Sequence, residues 1–345
     1  MFLVVLVTTL VIVTLLTYLL FSEGKIFVRR NSVIDLSIEE ISKDLADLTH
    51  WPRWLPWLIY ETDADIYYEY AEAKADVMSA LPSCLKWQGK LIKDGYLCLK
   101  PARSNSHSFQ ILLEIPAFYP NNLHFSINLS KQGSQTLITM QISAKISFLS
   151  RWTSNLQAIK ANKDLELALL KLIDHLAQYS EPSSHECHAP SFEWLTCAEL
   201  DCFDAVMRPF IANEQPISQK MTQGFHDLAI ALGPENPPAG PSFVLYNKIN
   251  LAQHYFSGYL GIPIQNLVPC DIHPKRLVLK GKYIQIRYVG IYKNLALAWH
   301  VAHNYRRLHG LHHPKHRPSV EIYEVRPSKK NSAEHFVTKV CLPVK

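Results

Sequence analysis

Two stretches of this 345-residue chain carry the same order of elements, and that repetition limits the possible folds more than any other feature. Residues 204–210 read as a strand, 216–232 as a helix and 242–246 as a strand; residues 277–289, 293–308 and 320–325 follow the same order. Each set closes on a further strand ending at a proline turn, Gly261-Ile262-Pro263 in one and Leu342-Pro343 in the other. Two β-α-β-β units related by a pseudo-twofold predict one curved sheet backed by two helices, with a groove between the halves. On the second helix Leu295, Trp299, Ala302 and Tyr305 fall on one side, and Gly310 ends it.

Within the second unit, residues 317–327 read RPSVEIYEVRP and set two glutamates among aliphatic and aromatic neighbours. Side chains alternate along a strand, so Glu321, Tyr323 and Val325 would share one face while Val320, Ile322 and Glu324 take the other. One glutamate must then point inward. A carboxylate facing an aromatic-lined concavity is costly to desolvate, so it is paired with a cation, protonated or kept for a ligand. Arg287 and Lys339 are the candidate cation partners for Glu321 across the sheet, and Tyr246, Tyr288 and Trp299 are either core or pocket.

The first twenty residues after Met1, 2–21, contain no charge and are long enough to span a bilayer. There is no basic n-region and no small-residue cleavage motif, so an uncleaved anchor over residues 1–24 is expected rather than a signal peptide. Lys25, Arg29 and Arg30 follow the run, which favours a single-pass inner-membrane protein with its body in the cytoplasm over the alternative of a body facing the periplasm. Seven cysteines without a CxxC pair read as reduced thiols, in keeping with that side.

Ser37 and Glu40 form the S-x-x-E pattern of a capping box, and Ile38, Ile41, Leu45 and Leu48 follow at helical spacing. The helix runs out at His50-Trp51-Pro52-Arg53-Trp54, where prolines stop it. Strand-like pieces follow at 95–100, 108–115, 123–129 and 137–146, then a long helix over about 150–179 with Leu165, Leu169, Leu172 and Leu176 on one stripe. Residues 180–190, SEPSSHECHAP, break the composition and read as a linker; His185, Cys187 and His188 lack a second pair at zinc-like spacing.

This order of elements, with the W-P-x-W run at Trp51–Trp54, resembles the SRPBCC (START-like, polyketide cyclase-like) helix-grip domains over about 25–180. The resemblance implies an apolar cavity between sheet and long helix. The second half, 191–345, resembles the GyrI-like effector-binding domains, related to those of AraC-type regulators and SOUL-like proteins. The residues carrying that likeness are Gly281-Lys282-Tyr283, Gly290-Ile291-Tyr292, Trp299, Glu321-Ile322-Tyr323, the 259–264 segment and the closing 340–344 strand. It implies a groove in which Glu321, Tyr323, Trp299, Tyr288 and Tyr246 contact a small ligand. Thr338-Lys339 departs from the family's closing strand, where an acidic residue often stands, and so puts a strict preference for cations in question.

From His273 to Arg317 there are ten Lys or Arg, seven His and no Asp or Glu, a block that builds positive potential and suits anionic headgroups or a solvated basic face. His309, His312, His313 and His316 sit around Gly310 and Pro314, where no helix continues to hold a metal. No recognition-helix motif points to nucleic acid. HExxH, GxSxG, Walker and GxGxxG patterns are all missing, so no catalytic residue, metal or cofactor is expected. The sequence therefore predicts a membrane-anchored, two-domain α+β protein that senses or sequesters a partly apolar small molecule of undetermined charge. The alternatives are a hydrolase using Glu321 to activate water and a non-catalytic scaffold for protein partners.

Overall fold

The computed structural model describes residues 1–21, 24–70, 81–100, 107–179, 189–200, 203–213, 217–250, 255–265, 275–277, 279, 281–325 and 336–345. The chain divides into two units, Met1–Ala189 and Pro190–Lys345. Most of the expected linker, 180–188, lies outside the described residues.

The first unit begins with helix α1 (Phe2–Phe21), whose described side chains are all exposed. Among the described residues no helix is long and apolar enough to cross a membrane, so the spanning anchor read from the sequence has no support here. Strand β1 (Lys25–Ile34) leads into helix α2 (Ile38–Ala46). The capping box forms as the residue types predict: the Ser37 hydroxyl accepts from the Glu40 N–H at 3.2 Å, and the Glu40 carboxylate accepts from the Ser37 N–H at 3.0 Å. A single 3-10 turn, Trp51–Arg53, follows, and Trp51, Trp54 and Trp57 are all buried. They are core: Trp51 packs on Trp54 and Phe125, and Trp57 donates to Asp164 at 3.1 Å.

Then come β2 (Asp65–Tyr70), β3 (Pro82–Gln88), β4 (Gly95–Leu99), β5 (Ser108–Glu114), β6 (Leu123–Gln132), β7 (Gln135–Lys145) and the long helix α3 (Ser154–Ala177). The strands form one antiparallel sheet in the order β1-β7-β6-β5-β4-β3-β2, and α3 lies along β1 and β7. Its stripe of Leu165, Leu169, Leu172 and Leu176 is buried, as amphipathic spacing requires. The reduced-thiol expectation fails at one pair. Register sets Cys84 directly opposite Cys98 on β3 and β4, with Cα atoms 4.2 Å apart, and the two are joined in a disulfide. Strand pairing brought them together, which spacing along the chain does not reveal.

The second unit comprises β8 (Ser191–Glu199), β9 (Phe203–Ala212), α4 (Ile217–Leu232), β10 (Phe243–Asn250), β11 (Tyr255–Pro263), β12 (Lys275–Leu277), β13 (Lys282–Val289), α5 (Leu295–Leu308), β14 (Ser319–Val325) and β15 (Val337–Pro343). Its antiparallel sheet runs β12-β9-β11-β10-β14-β15-β13-β8. The six central strands read the same from either side of the β10–β14 seam: first, third and second strand of one repeat meet second, third and first of the other. That is the pseudo-twofold expected from the sequence. Helix α5 ends on Gly310 at φ 63°, with Leu311 N–H bonded to Arg306 C=O and Gly310 N–H to Arg307 C=O. Only glycine adopts such a φ without a Cβ penalty, and the paired bonds satisfy carbonyls the helix leaves open.

Candidate functional site

Alternation on β14 sends Glu321 and Tyr323 to the sheet face covered by the helices, where both are buried, while Glu324 points to solvent. Glu324 accepts from Arg287 at 2.8 Å, and Arg287 also pairs with Glu193. The cation offered to Glu321 by sequence is thus taken by two other carboxylates. Lys339 is opposite Ile322 on β15, and directly opposed residues share a face, so it belongs to the face away from Glu321. The charge reversal at Lys339 therefore leaves the Glu321 site untouched.

Three donors meet the buried carboxylate. Tyr246 and Tyr323 hydroxyls donate to Glu321 Oε2 at 2.9 and 2.6 Å, and Trp299 Nε1–H donates to Oε1 at 2.6 Å. Among the described residues it has no Lys, Arg or His partner. Burial pushes the Glu321 carboxyl above the usual carboxylate range, and the bonds from Tyr323, Trp299 and Tyr246 offset this only in part. Burial, followed by the neighbouring Glu321 charge, holds Tyr246 and Tyr323 well above the ordinary phenol range, so both remain donors at any physiological pH.

The setting is aromatic. Tyr246 meets Phe210, Phe256 and Trp299 edge-on with ring centroids 6.1 to 6.5 Å apart, and Tyr323 meets Phe225 and Tyr292 at 6.1 and 5.7 Å. Phe225 comes from α4 and Trp299 from α5, so the carboxylate lies where the two repeats meet under both helices. Phe225, Phe256 and Trp299 are only partly buried and Tyr292 is exposed, so the aromatic shell around the buried acid reaches the surface. Edge-on rings expose π-faces to whatever fills the space between them.

Of the residues singled out by sequence, Glu321, Tyr323, Trp299 and Tyr246 come together. Tyr288 makes no hydrogen bond to the acid: it is fully buried in a cluster with Ala298 and Val340 against which Phe192 and Trp299 pack, and its hydroxyl donates to the Ile291 carbonyl at 2.7 Å. Phe225 was not foreseen, and Tyr292 was read only as part of a motif carrying the family likeness, because neither position shows from sequence which helix face or loop would meet Tyr323. The pseudo-twofold could have found Tyr246 directly: Val244 pairs with Glu321 across the β10–β14 seam, so Tyr246 and Tyr323 are equivalent positions two residues beyond.

No protein-family profile matches the chain, and no curated protein matches it in sequence. Solved structures with a similar fold include the C-terminal domain of EcmrR, 13% identical, covering 45% of this chain and 98% of that one with a TM-score of 0.38. SAV2435 bound to tetraphenylphosphonium is 17% identical and covers 44% of this chain and 94% of its own, with a TM-score of 0.33. A START superfamily protein from Mycobacterium smegmatis is 14% identical and covers 45% and 99%, with a TM-score of 0.32. The chain is α+β with two antiparallel sheets. At these identities and scores the likeness says nothing of activity or ligand.

Proposed function

We propose that the second unit captures a partly apolar organic cation, with Glu321 as the counter-charge and the surrounding rings as the apolar wall. One observation carries the reading: a fully buried carboxylate held by three neutral donors and, among the described residues, by no cation. Ionising such a group in isolation is costly, and a bound cation removes the cost while the rings add cation–π attraction. The Tyr and Trp donors orient the carboxylate without neutralising it, which suits binding and release better than chemistry.

The test is calorimetric titration and thermal shift of the purified full chain with tetraphenylphosphonium, against tetraphenylborate as an anion of the same shape. Binding of the cation alone, weakened at least about tenfold by Glu321→Gln, supports the reading; one ion pair lost from a dry site corresponds to at least about 1.4 kcal/mol. Equal binding of both ions, or of neither, overturns it. Ester or amide turnover abolished by Glu321→Gln would favour the hydrolase instead.

We also propose that α1 holds the protein at a membrane. The observation in its favour is that the hydroxyls of Thr8, Thr9, Thr14 and Thr17 all donate to the carbonyl four residues back, at 2.8 to 2.9 Å, so its polar side chains need no water. The basic flank argues for a cytoplasmic body and the Cys84–Cys98 disulfide for an oxidising side. Carbonate extraction of the full chain, compared with a chain begun at Lys25, tests the anchor, and protease protection decides the side.

A further inference from the structure

We infer that Asp44, His50 and His175, in the first unit, form a binding site for a divalent first-row transition-metal ion, zinc in preference. The three arrive from separate elements: Asp44 from the last turn and a half of α2, His50 from the residue that opens the tryptophan turn, and His175 from the end of α3. Asp44 Oδ1 lies 2.8 Å from His50 Nδ1 and 3.0 Å from His175 Nε2. One ligand atom from each residue falls within 4.8 Å of the other two.

A hydrogen-bonded clamp between helices is the plain alternative, and two features count against it as the whole account. Both imidazoles converge on one oxygen, while Asp44 Oδ2 is buried with no hydrogen-bond partner. Asp44 and His175 are only 6% and 3% exposed, so the orphaned oxygen has no ready water. The Tyr179 hydroxyl feels the Asp44 charge and hydrogen-bonds to that carboxylate, although Oδ2 itself has no partner within ordinary hydrogen-bonding distance. An unpaired buried acceptor is costly, and a cation chelated by both carboxylate oxygens would remove that cost.

Zinc–nitrogen and zinc–oxygen bonds of about 2.0–2.2 Å set tetrahedral donor separations near 3.3 Å, a few tenths of an ångström beyond the two Asp44–histidine spacings, and the two imidazole nitrogens lie within 4.8 Å of one another. One carboxylate and two neutral imidazoles, without thiolate, suit zinc and its neighbours rather than soft or hard ions. His50 Nε2 lies 3.8 Å from Asp47 Oδ2, too far for a hydrogen bond but near enough that a small ring rotation would make the carboxylate–histidine pair that fixes a ligating ring, and Asp47 is itself held by the Thr49 N–H and hydroxyl at 2.9 and 2.6 Å. The His50 side chain keeps 28% of its exposure, leaving one side for the ion to enter and for a water ligand.

The test uses the full chain, stripped with chelator and checked as folded by its melting curve, then titrated with Zn(II) by calorimetry and with Co(II) by visible absorption. One ion per chain, tetrahedral Co(II) bands and a raised melting temperature are expected. His50→Ala, at a half-open position that the fold tolerates, should weaken Zn(II) more than about 100-fold, and Asp47→Asn about tenfold. A chain with His185, Cys187 and His188 replaced by alanine should bind as the wild type does. The site is ruled out if the folded, stripped chain takes up no ion, if His50→Ala binds equally well, or if the three-alanine chain loses the ion.

Discussion

Burial disfavours the charged form of Glu321 and so works against stability at neutral pH. Its carboxyl sits above the usual range, so the folded chain holds that proton more tightly than the unfolded chain does. The contribution is complete below the unfolded value of about 4.3 and is lost as pH rises through the raised folded one. Gln in its place cannot ionise, so the melting temperature of Glu321→Gln minus that of wild type should grow between pH 4 and pH 8. A gap that stays flat would mean that Glu321 ionises as freely as an exposed acid. Cation affinity has the opposite trend and should fall as pH drops through the same raised value. Alternation alone narrowed the inward acid to one of two, and packing decided it. The loss of Arg287 to Glu193 and Glu324 was not legible, because nothing in a strand's own sequence says which neighbour its cation will meet.

At the level of elements, caps and stripes were legible because their partners lie three or four residues away: Ser37 with Glu40, Gly310 after α5, the leucines of α3. Strand β2 was not, since DIYYEY is exposed along most of its length and shows no alternation, and β3 opens on Pro82 and carries Lys86. The bulge in β10 is a device of the same scale. Register slips between Tyr246 and Lys248 opposite Gly258, where a Cβ would run into the Leu245 carbonyl. Gly258→Ala should therefore cost about 2 to 3 kcal/mol in denaturant unfolding, as overpacking against unyielding backbone does. It should also weaken cation binding, because the bulge sets the angle at which Tyr246 reaches Glu321. Loss of stability below about 0.5 kcal/mol would show that the strands part easily there.

For the molecule as a whole, the antiparallel repeat announced itself through order alone, whereas features that depend on how elements pair did not. Asp44 and His175 are 131 residues apart in sequence, and Cys84 meets Cys98 only through a β3–β4 register that neither strand dictates by itself. The disulfide closes a short loop, and its removal by Cys84→Ala should destabilise the first unit by about 3 kcal/mol. In calorimetry that predicts a lowered transition for the first unit, mimicked by reductant, with the second unit's transition unmoved; no change with either treatment would mean that the pair is not bonded in solution. The pseudo-twofold sheet has a further consequence. Because Val244 and Tyr246 mirror Glu321 and Tyr323, the scaffold offers a second, unused berth for an acid, flanked by the same two tyrosines. No tryptophan is present on α4 to supply the third donor. The duplicated frame is thus symmetric in backbone but polar in charge, and a ligand of the kind proposed, with a distinct head and tail, would lie in it only one way round.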